Sequence, residues 1–370
     1  MIHAPATLCR LTIALDGRAG MWRFGRETGP DPAQALVGRT PDEAARLAPL
    51  VFNLCGAAHG FAAATALGLP AAADGAAMAR ETVRDHALAM LHAWPQALGE
   101  APDRAALGLL ARPNGGDTFA TALVGEGAVL STFSPAELDA WLREAPTATA
   151  RLLVRLRREV DPAEGRAGLP ELTAQDVAAA LGCSSLSSPG LTGGSTPRRG
   201  AIPDGVAPAE GGMPLPTPAS GGRAAWDGAE LNVRRETGAL GRVARTPLVA
   251  ALLASEGPSL FVRLIARLVD CLAALKPALL LTDDLPPGLG IAPAARGLLG
   301  HGARVEAGRV AAYRILSPSA WNLAPGGLLE RAFAALTPGP TARRLAPLLV
   351  SAINPCVPVT LSYAEDLAHA

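Results

Sequence analysis

Lysine is almost absent from this 370-residue chain: Lys276 stands alone and every other basic residue is arginine, a compositional bias with no functional content of its own. Charge of one sign is also missing. The 33 basic and 33 acidic residues cancel, which removes the electrostatic case for nucleic acid or an anionic membrane surface as a partner. Nowhere do about 18 uncharged apolar residues run together, so no membrane span is expected. The opening Met-Ile-His-Ala-Pro-Ala lacks the cationic, apolar and small-residue succession of a signal peptide. The five cysteines (Cys9, Cys55, Cys183, Cys271 and Cys356) are odd in number and show no disulfide framework. The cytoplasm, where thiols stay reduced, is therefore the default compartment. Aromatic residues make up 4% while alanine is abundant, a composition suited to close-packed helices. The length suffices for a substantial core, as one large domain or two.

What is present reads as helices with a few hairpins. Leu11 to Leu15 and Met21 to Phe24 flank Asp16-Gly17 and predict a β-hairpin. Thr40-Pro41-Asp42-Glu43 is a capping box, with Thr as N-cap, Pro at the first helical position and Glu three residues on. The helix it opens should carry Cys55 and His59, with Pro49 breaking or kinking it one turn earlier. Beyond His59, the small residues Ala62, Ala63, Ala64 and Ala66 permit close helix approach. Arg84 to Trp94 reads as an amphipathic helix whose His86 and His92, six apart, lie on different faces and are structural or solvent histidines. Ser134 and Thr173 cap two further helices, running to Glu144 and Gly182. The arginines at 151, 155, 157 and 158 form a solvated helix face or a docking patch for an acidic partner.

From about Ser184 to Ala225 the composition shifts to Ser, Gly, Pro and Thr without apolar periodicity, which predicts a disordered linker or long surface loop. It divides the sequence into residues 1–183 and 226–370, two halves that could pack together. After it, Ser259 to Leu275 carries a core-facing helical stripe through Leu260, Phe261, Leu264, Ile265, Leu268 and Leu272. Cys271 on that helix, and Cys183 near Gly182, read as buried thiols. Val305 to Ile315 alternates around Gly308 as a second hairpin.

Two stretches carry chemistry. Val51 to His59 reads Val-Phe-Asn-Leu-Cys-Gly-Ala-Ala-His, and near the C-terminus stands Asn354-Pro355-Cys356. Cys55 and His59 are four apart, so on a helix they share a face. A lone cysteine on an apolar helix is most often inert. Two thiols and an imidazole drawn from opposite ends of one chain suggest a metal site.

The first stretch resembles the R-I-C-G-x-C-P-x-x-H motif of nickel–iron hydrogenase large subunits. Cys55 takes the second cysteine and His59 the histidine, while Phe52 falls on the first cysteine, Asn53 on the glycine and Leu50 on the arginine. The second resembles D-P-C-x-x-C-x-x-H: Pro355 and Cys356 fit, Asn354 replaces the aspartate, Val359 the second cysteine and Ser362 the histidine. Between them, Gly38 to Pro41 is similar to G-R-x-P, and Glu236 to Arg242 to E-x-G-P-L-A-R. Ala295-Arg296-Gly297-Leu298-Leu299-Gly300-His301 is similar to A-P-R-G-x-L-G-H, and Pro318-Ser319-Ala320-Trp321-Asn322 to P-[ST]-T-W-N. Several short matches in the right order over the whole chain weigh more than any one of them. A kept frame with lost ligands is similar to the hydrogenase expression/formation proteins of the HupK/HoxV type, large-subunit-like assembly factors.

The resemblance implies a mainly helical α+β fold, a large-subunit-like helical core with small β-hairpins. In it, 1–183 would form the N-terminal half, with the first metal motif, and 226–370 the C-terminal half, with the second. In nickel–iron hydrogenases four cysteines hold the metals, and the iron carries two cyanides and a carbonyl. The likeness puts Cys55 on a bridging position and Cys356 on a nickel-only position as metal ligands, with His59, Arg296 and Ser319 as binding residues around the iron's diatomic ligands. Two thiolates leave nickel under-coordinated, so neither a durable bimetallic centre nor hydrogen turnover is expected. The implied role is a non-catalytic, cytoplasmic scaffold. It would take an Fe(CN)2CO unit from the maturation chaperones and pass it to the large-subunit precursor. The alternative is a metal-free adaptor that docks chaperones or precursor through a large-subunit-like surface. Only Tyr363 to Ala370 follow the second motif, so no C-terminal processing is expected.

Overall fold

The structure, a computed structural model, describes residues 6–16, 21–71, 75–112, 115–183, 233–276 and 285–363. The stretch read as a linker, 184–225, lies outside them, as do residues 364–370.

The N-terminal hairpin is present. Strands β1 (Ala6–Asp16) and β2 (Met21–Pro30) pair antiparallel from Asp16 against Met21, and Leu11 and Ile13 point into the core. The final described segment adds β6 (Val359–Tyr363) parallel to β1, in the order β2-β1-β6. The sequence reading missed β6, although Val359, Leu361 and Tyr363 alternate with Thr360 and Ser362 as a strand requires. The positions of the second motif's missing cysteine and histidine thus lie in a strand.

Thr40 caps helix α1 (Pro41–Val51) through the expected reciprocal bonds with Glu43. The helix ends sooner than the sequence reading had it. Pro49 sits inside the last turn of α1, and the chain turns by 88° between Pro41–Val51 and Asn53–Ala66. A short 3₁₀ turn, Asn53–Cys55, leads into α2 (Gly56–Ala66), so Cys55 stands at the N-cap of the helix that contains His59. Gly56 permits the sharp corner, since a Cβ there would come within 3.0 Å of the Pro49 carbonyl oxygen.

The alanines of α2 do meet a close neighbour, but it is a strand. In β3 (Leu289–Ala294), a Cβ on Gly290 would lie 1.9 Å from the Ala62 carbonyl oxygen, so helix and strand backbones touch directly. Strands β4 (Gly297–Glu306) and β5 (Arg309–Leu316) complete an antiparallel sheet in the order β3-β4-β5 and include the predicted second hairpin.

Helix α3 begins earlier than the sequence suggested, at Gly75, and runs to Leu88. A π-type turn over Ala89–Ala93 and a short helical turn, Trp94–Ala97, follow it. α3 packs on the Leu260–Ala274 helix, capped by Ser259, whose Leu264, Ile265 and Leu268 are fully buried. Burying each such side chain contributes roughly 1.5–3 kcal/mol. Helices Pro135–Glu144 and Ala174–Ala180 carry the expected capping boxes. Cys271 is buried; Cys183 is only half-buried, because it follows the end of its helix. On Ala148–Glu159, Arg155 is tied to Glu159 and Glu100, and Arg157 to Glu256, so much of the arginine run is spent on intramolecular pairs. The largest apolar core joins residues from before position 183, such as Phe119 and Leu153, to residues after 233, such as Ile265, Phe333 and Leu349. Among the described residues no single helix is long and apolar enough to cross a membrane; the bent pair above passes only by length and composition.

Candidate functional site

The two ends of the chain meet. Cys55, His59, Ser319 and Cys356 line one cavity of about 260 Å³, together with Phe52 and residues from β1 and β5. Each is delivered by a local device. The 88° corner turns Cys55 inward. Ser317 caps the Pro318–Asn322 helix and sets Ser319 in its first turn. Asn354 ends the Pro340–Ile353 helix in the left-handed conformation (φ 59°), which asparagine tolerates, and so redirects Pro355 and Cys356. The Cys356 backbone N–H donates to Ser319 Oγ at 2.8 Å, tying the two together and leaving the serine proton free to point elsewhere.

His59 sits on a buried chain of polar groups. Its Nδ1 is 2.9 Å from His301 Nε2, and His301 Nδ1 is 2.7 Å from the Tyr313 hydroxyl. Phe52, in place of the first motif's missing cysteine, stacks on the His59 ring at 4.6 Å and 15°. Burial lowers the His59 pKa to about 4 and that of His301 well below the usual value, so both imidazoles are neutral and share one proton between their facing nitrogens. Burial pushes the Cys55 thiol up to about 12; the nearby Arg296 pulls against that rise, while Cys356, Glu81 and Asp85 add to it. An empty site therefore holds Cys55 as a neutral thiol, and only a bound cation would make it a thiolate.

Arg296 does not line the large cavity. It lines a smaller cavity with Arg263, Arg267, His86 and Asn354. Arg296 Nη2 pairs with Asp85 Oδ1 at 2.7 Å, while its Nε and Nη1 are buried without a partner. Asp85, on α3, also takes Arg267 Nη2 at 2.8 Å and Asn354 Nδ2 at 2.6 Å. Burial by itself would raise the Asp85 pKa, but these neighbours hold it below the usual carboxylate range. His86 accepts from Arg267 Nε through Nδ1 and contacts Asp270 through Nε2 at 2.7 Å, with burial lowering its pKa to about 4. His86 is structural, and His92 is exposed.

The sequence reading identified Cys55, His59, Ser319 and Cys356, and the structure brings these four together. It missed Asp85, the hub that connects Arg296 to Asn354, and the coupling of His301 and Tyr313 to His59. His301 was visible as the last residue of the G-x-L-G-H match; Asp85 belongs to no motif. Asn322, from the Trp-Asn pair, clamps Thr237 in both directions, and Thr237 Oγ1 accepts from the Leu298 N–H, so the remaining motifs hold the Arg296 turn in place.

The four groups could hold a small metal-bearing unit. Among the described residues, however, no three His, Cys, Asp or Glu side chains cluster as ligands for a bare ion.

Residues 223–333 match the family model for nickel-dependent hydrogenase. The fold is similar to that of the Ni-Fe-Se hydrogenase from Desulfovibrio vulgaris Hildenborough, with a TM-score of 0.51 and 16% identity over 91% of this chain and 93% of that one. It is similar too to the Ni-Fe-Se hydrogenase from Desulfomicrobium baculatum, at 0.51 and 14% over 92% and 95%. At the sequence level the chain is 34% identical to the hydrogenase expression/formation protein HupK of Rhodobacter capsulatus, over 93% of both. It is 28% identical to the hydrogenase expression/formation protein HoxV of Cupriavidus necator, over 96% of this chain and 97% of that one. With a hydrogenase large-subunit fold and this extent of likeness, the chain belongs to the HupK/HoxV family of hydrogenase expression/formation proteins.

Proposed function

We propose that this protein serves hydrogenase maturation as a scaffold: it takes an Fe(CN)2CO unit from the maturation chaperones, holds it briefly and passes it to the nickel–iron hydrogenase large-subunit precursor. The names of the relatives support a part in hydrogenase formation. The observation that carries the rest is the meeting of Cys55 and Cys356, from opposite ends of the chain, on one cavity with His59 and Ser319.

The donor set suits such cargo better than a bare ion. A unit that arrives with three diatomic ligands needs few protein donors, and two thiols supply them. Cys55 and Cys356 would each give up a proton on binding, with the positive charge of Arg296 favouring the Cys55 thiolate. Ser319 has a free hydroxyl proton, a donor of the kind that cyanide nitrogen accepts, while Arg296, which lines the neighbouring cavity, would act on the unit through its positive charge. Phe52 and Val359 cannot ligate, so the hold is weaker than that of a recipient with four thiolates, and transfer runs downhill. The same deficit argues against hydrogen turnover by this chain.

Iron content tests the reading. Protein produced with the maturation machinery and purified without oxygen should carry iron, and Cys55→Ala should lose it while keeping the wild-type circular dichroism. Unchanged iron in a folded Cys55→Ala protein would remove Cys55 from the site. The metal-free adaptor reading draws its support from the missing third ligand, and iron-free wild-type protein that still binds the precursor would favour it.

A further inference from the structure

The small cavity lined by Arg296 measures about 20 Å³, enough for one water-sized occupant. Three guanidiniums line it: Arg263, Arg267 and Arg296. Their direct ion-pair partners are only two carboxylates. Glu236 pairs with Arg263, and Asp85 is shared between Arg267 and Arg296. Asp270 nearby is engaged by Arg242 and His86. His86, the other titratable residue on the wall, is neutral and donates towards Asp270.

With Asp85 counted as the partner of Arg267 and Arg296, the three guanidiniums of the wall face two carboxylates, one positive charge over, in a place that water barely reaches. The wall also carries donors with nothing to donate to. Arg263, with 5% of its side chain exposed, has a buried Nε–H without a partner, and Arg296 has two such nitrogens. Every nitrogen of Arg267 is used, by His86, Ser351 and Asp85. A water molecule in the cavity would accept from one or two of these donors but leave the excess charge buried and uncompensated, a costly arrangement. A monovalent anion would satisfy both.

We propose that this cavity binds one small monovalent anion of halide size, held by the free N–H groups of Arg263 and Arg296. The site is separate from the cavity of Cys55 and Cys356, and the proposal does not depend on what that cavity carries. Its consequence is local: the anion fixes Arg296, whose charge acts on Cys55.

The test uses the full chain in gluconate buffer, with chloride or bromide substituted at constant ionic strength. Thermal unfolding should shift upward and saturate with either halide, and sulfate, a larger dianion, should not reproduce the saturation. The ³⁵Cl resonance should broaden in the presence of protein and narrow again on adding bromide. Arg263→Lys keeps a cation for Glu236 but removes the Nε–H, and should weaken halide binding by about tenfold, the worth of one hydrogen bond to a charged group. Halide-independent unfolding with an unbroadened ³⁵Cl line would overturn the proposal and leave a water site. Undiminished broadening in folded Arg263→Lys would equally overturn it, by moving the anion elsewhere.

Discussion

Asn354 shows how far a single amide can set a charge balance. Its Nδ2 donates to Asp85, which already answers two guanidiniums. Asn354→Gly suits the left-handed backbone but removes that donor, and should therefore destabilise the protein by about 2 kcal/mol, the usual worth of a hydrogen bond to a charged group, measured by urea unfolding at pH 7. Three imidazoles add a pH dependence. Burial depresses the pKa of His59 and His86 to about 4 and holds that of His301 well below its usual value. The folded state thus binds fewer protons than the unfolded chain, whose histidines titrate near 6.5. Stability is full above that value and falls as the pH drops from there towards 4, by about 1.4 kcal/mol per pH unit for each imidazole. Asp85 and Asp270 are depressed carboxylates, so their contribution is present above about 4 and is lost only below it. Urea midpoints that stay flat between pH 7 and 5 would contradict the buried neutral histidines.

Among the elements, those defined by neighbours in sequence were legible. The capping boxes at Thr40, Ser134 and Thr173 and both hairpins follow from residues within a few positions of one another. Three features were not. The corner after Val51 depends on Gly56 fitting against Pro49, β6 depends on a partner at the opposite end of the chain, and the alanine face of α2 meets a strand. The site divides the same way. Motif order indicated Cys55, His59, Ser319 and Cys356, whereas Asp85 is defined only by the arginines that the fold brings to it. The strand approach gives a sharp test. Gly290→Ala drives a methyl group into the Ala62 carbonyl, a backbone clash no rotamer can relieve, and should leave the protein insoluble or without protected amides in α2 and β3 by hydrogen exchange. Gly308→Ala, in an open turn of φ 73°, meets nothing within 4 Å and should cost only about 1 kcal/mol.

On the scale of the whole molecule, the fold is a hydrogenase large subunit's, and its ends still close on one cavity. Half of the thiol positions carry Phe52 and Val359 instead, one stacked on His59 and the other paired in a strand. On the proposed reading, such a chain would offer a pocket for a metal unit without the ligands for a permanent centre. Infrared spectroscopy over the cyanide and carbonyl stretching region, on protein purified anaerobically from cells that contain the maturation machinery, addresses this directly. The expected result is a set of cyanide and carbonyl bands that disappears in Cys55→Ala and in Cys356→Ala. A blank spectrum from well-folded wild-type protein that co-purifies with maturation partners would contradict the carrier role and leave an adaptor whose pocket is a relic.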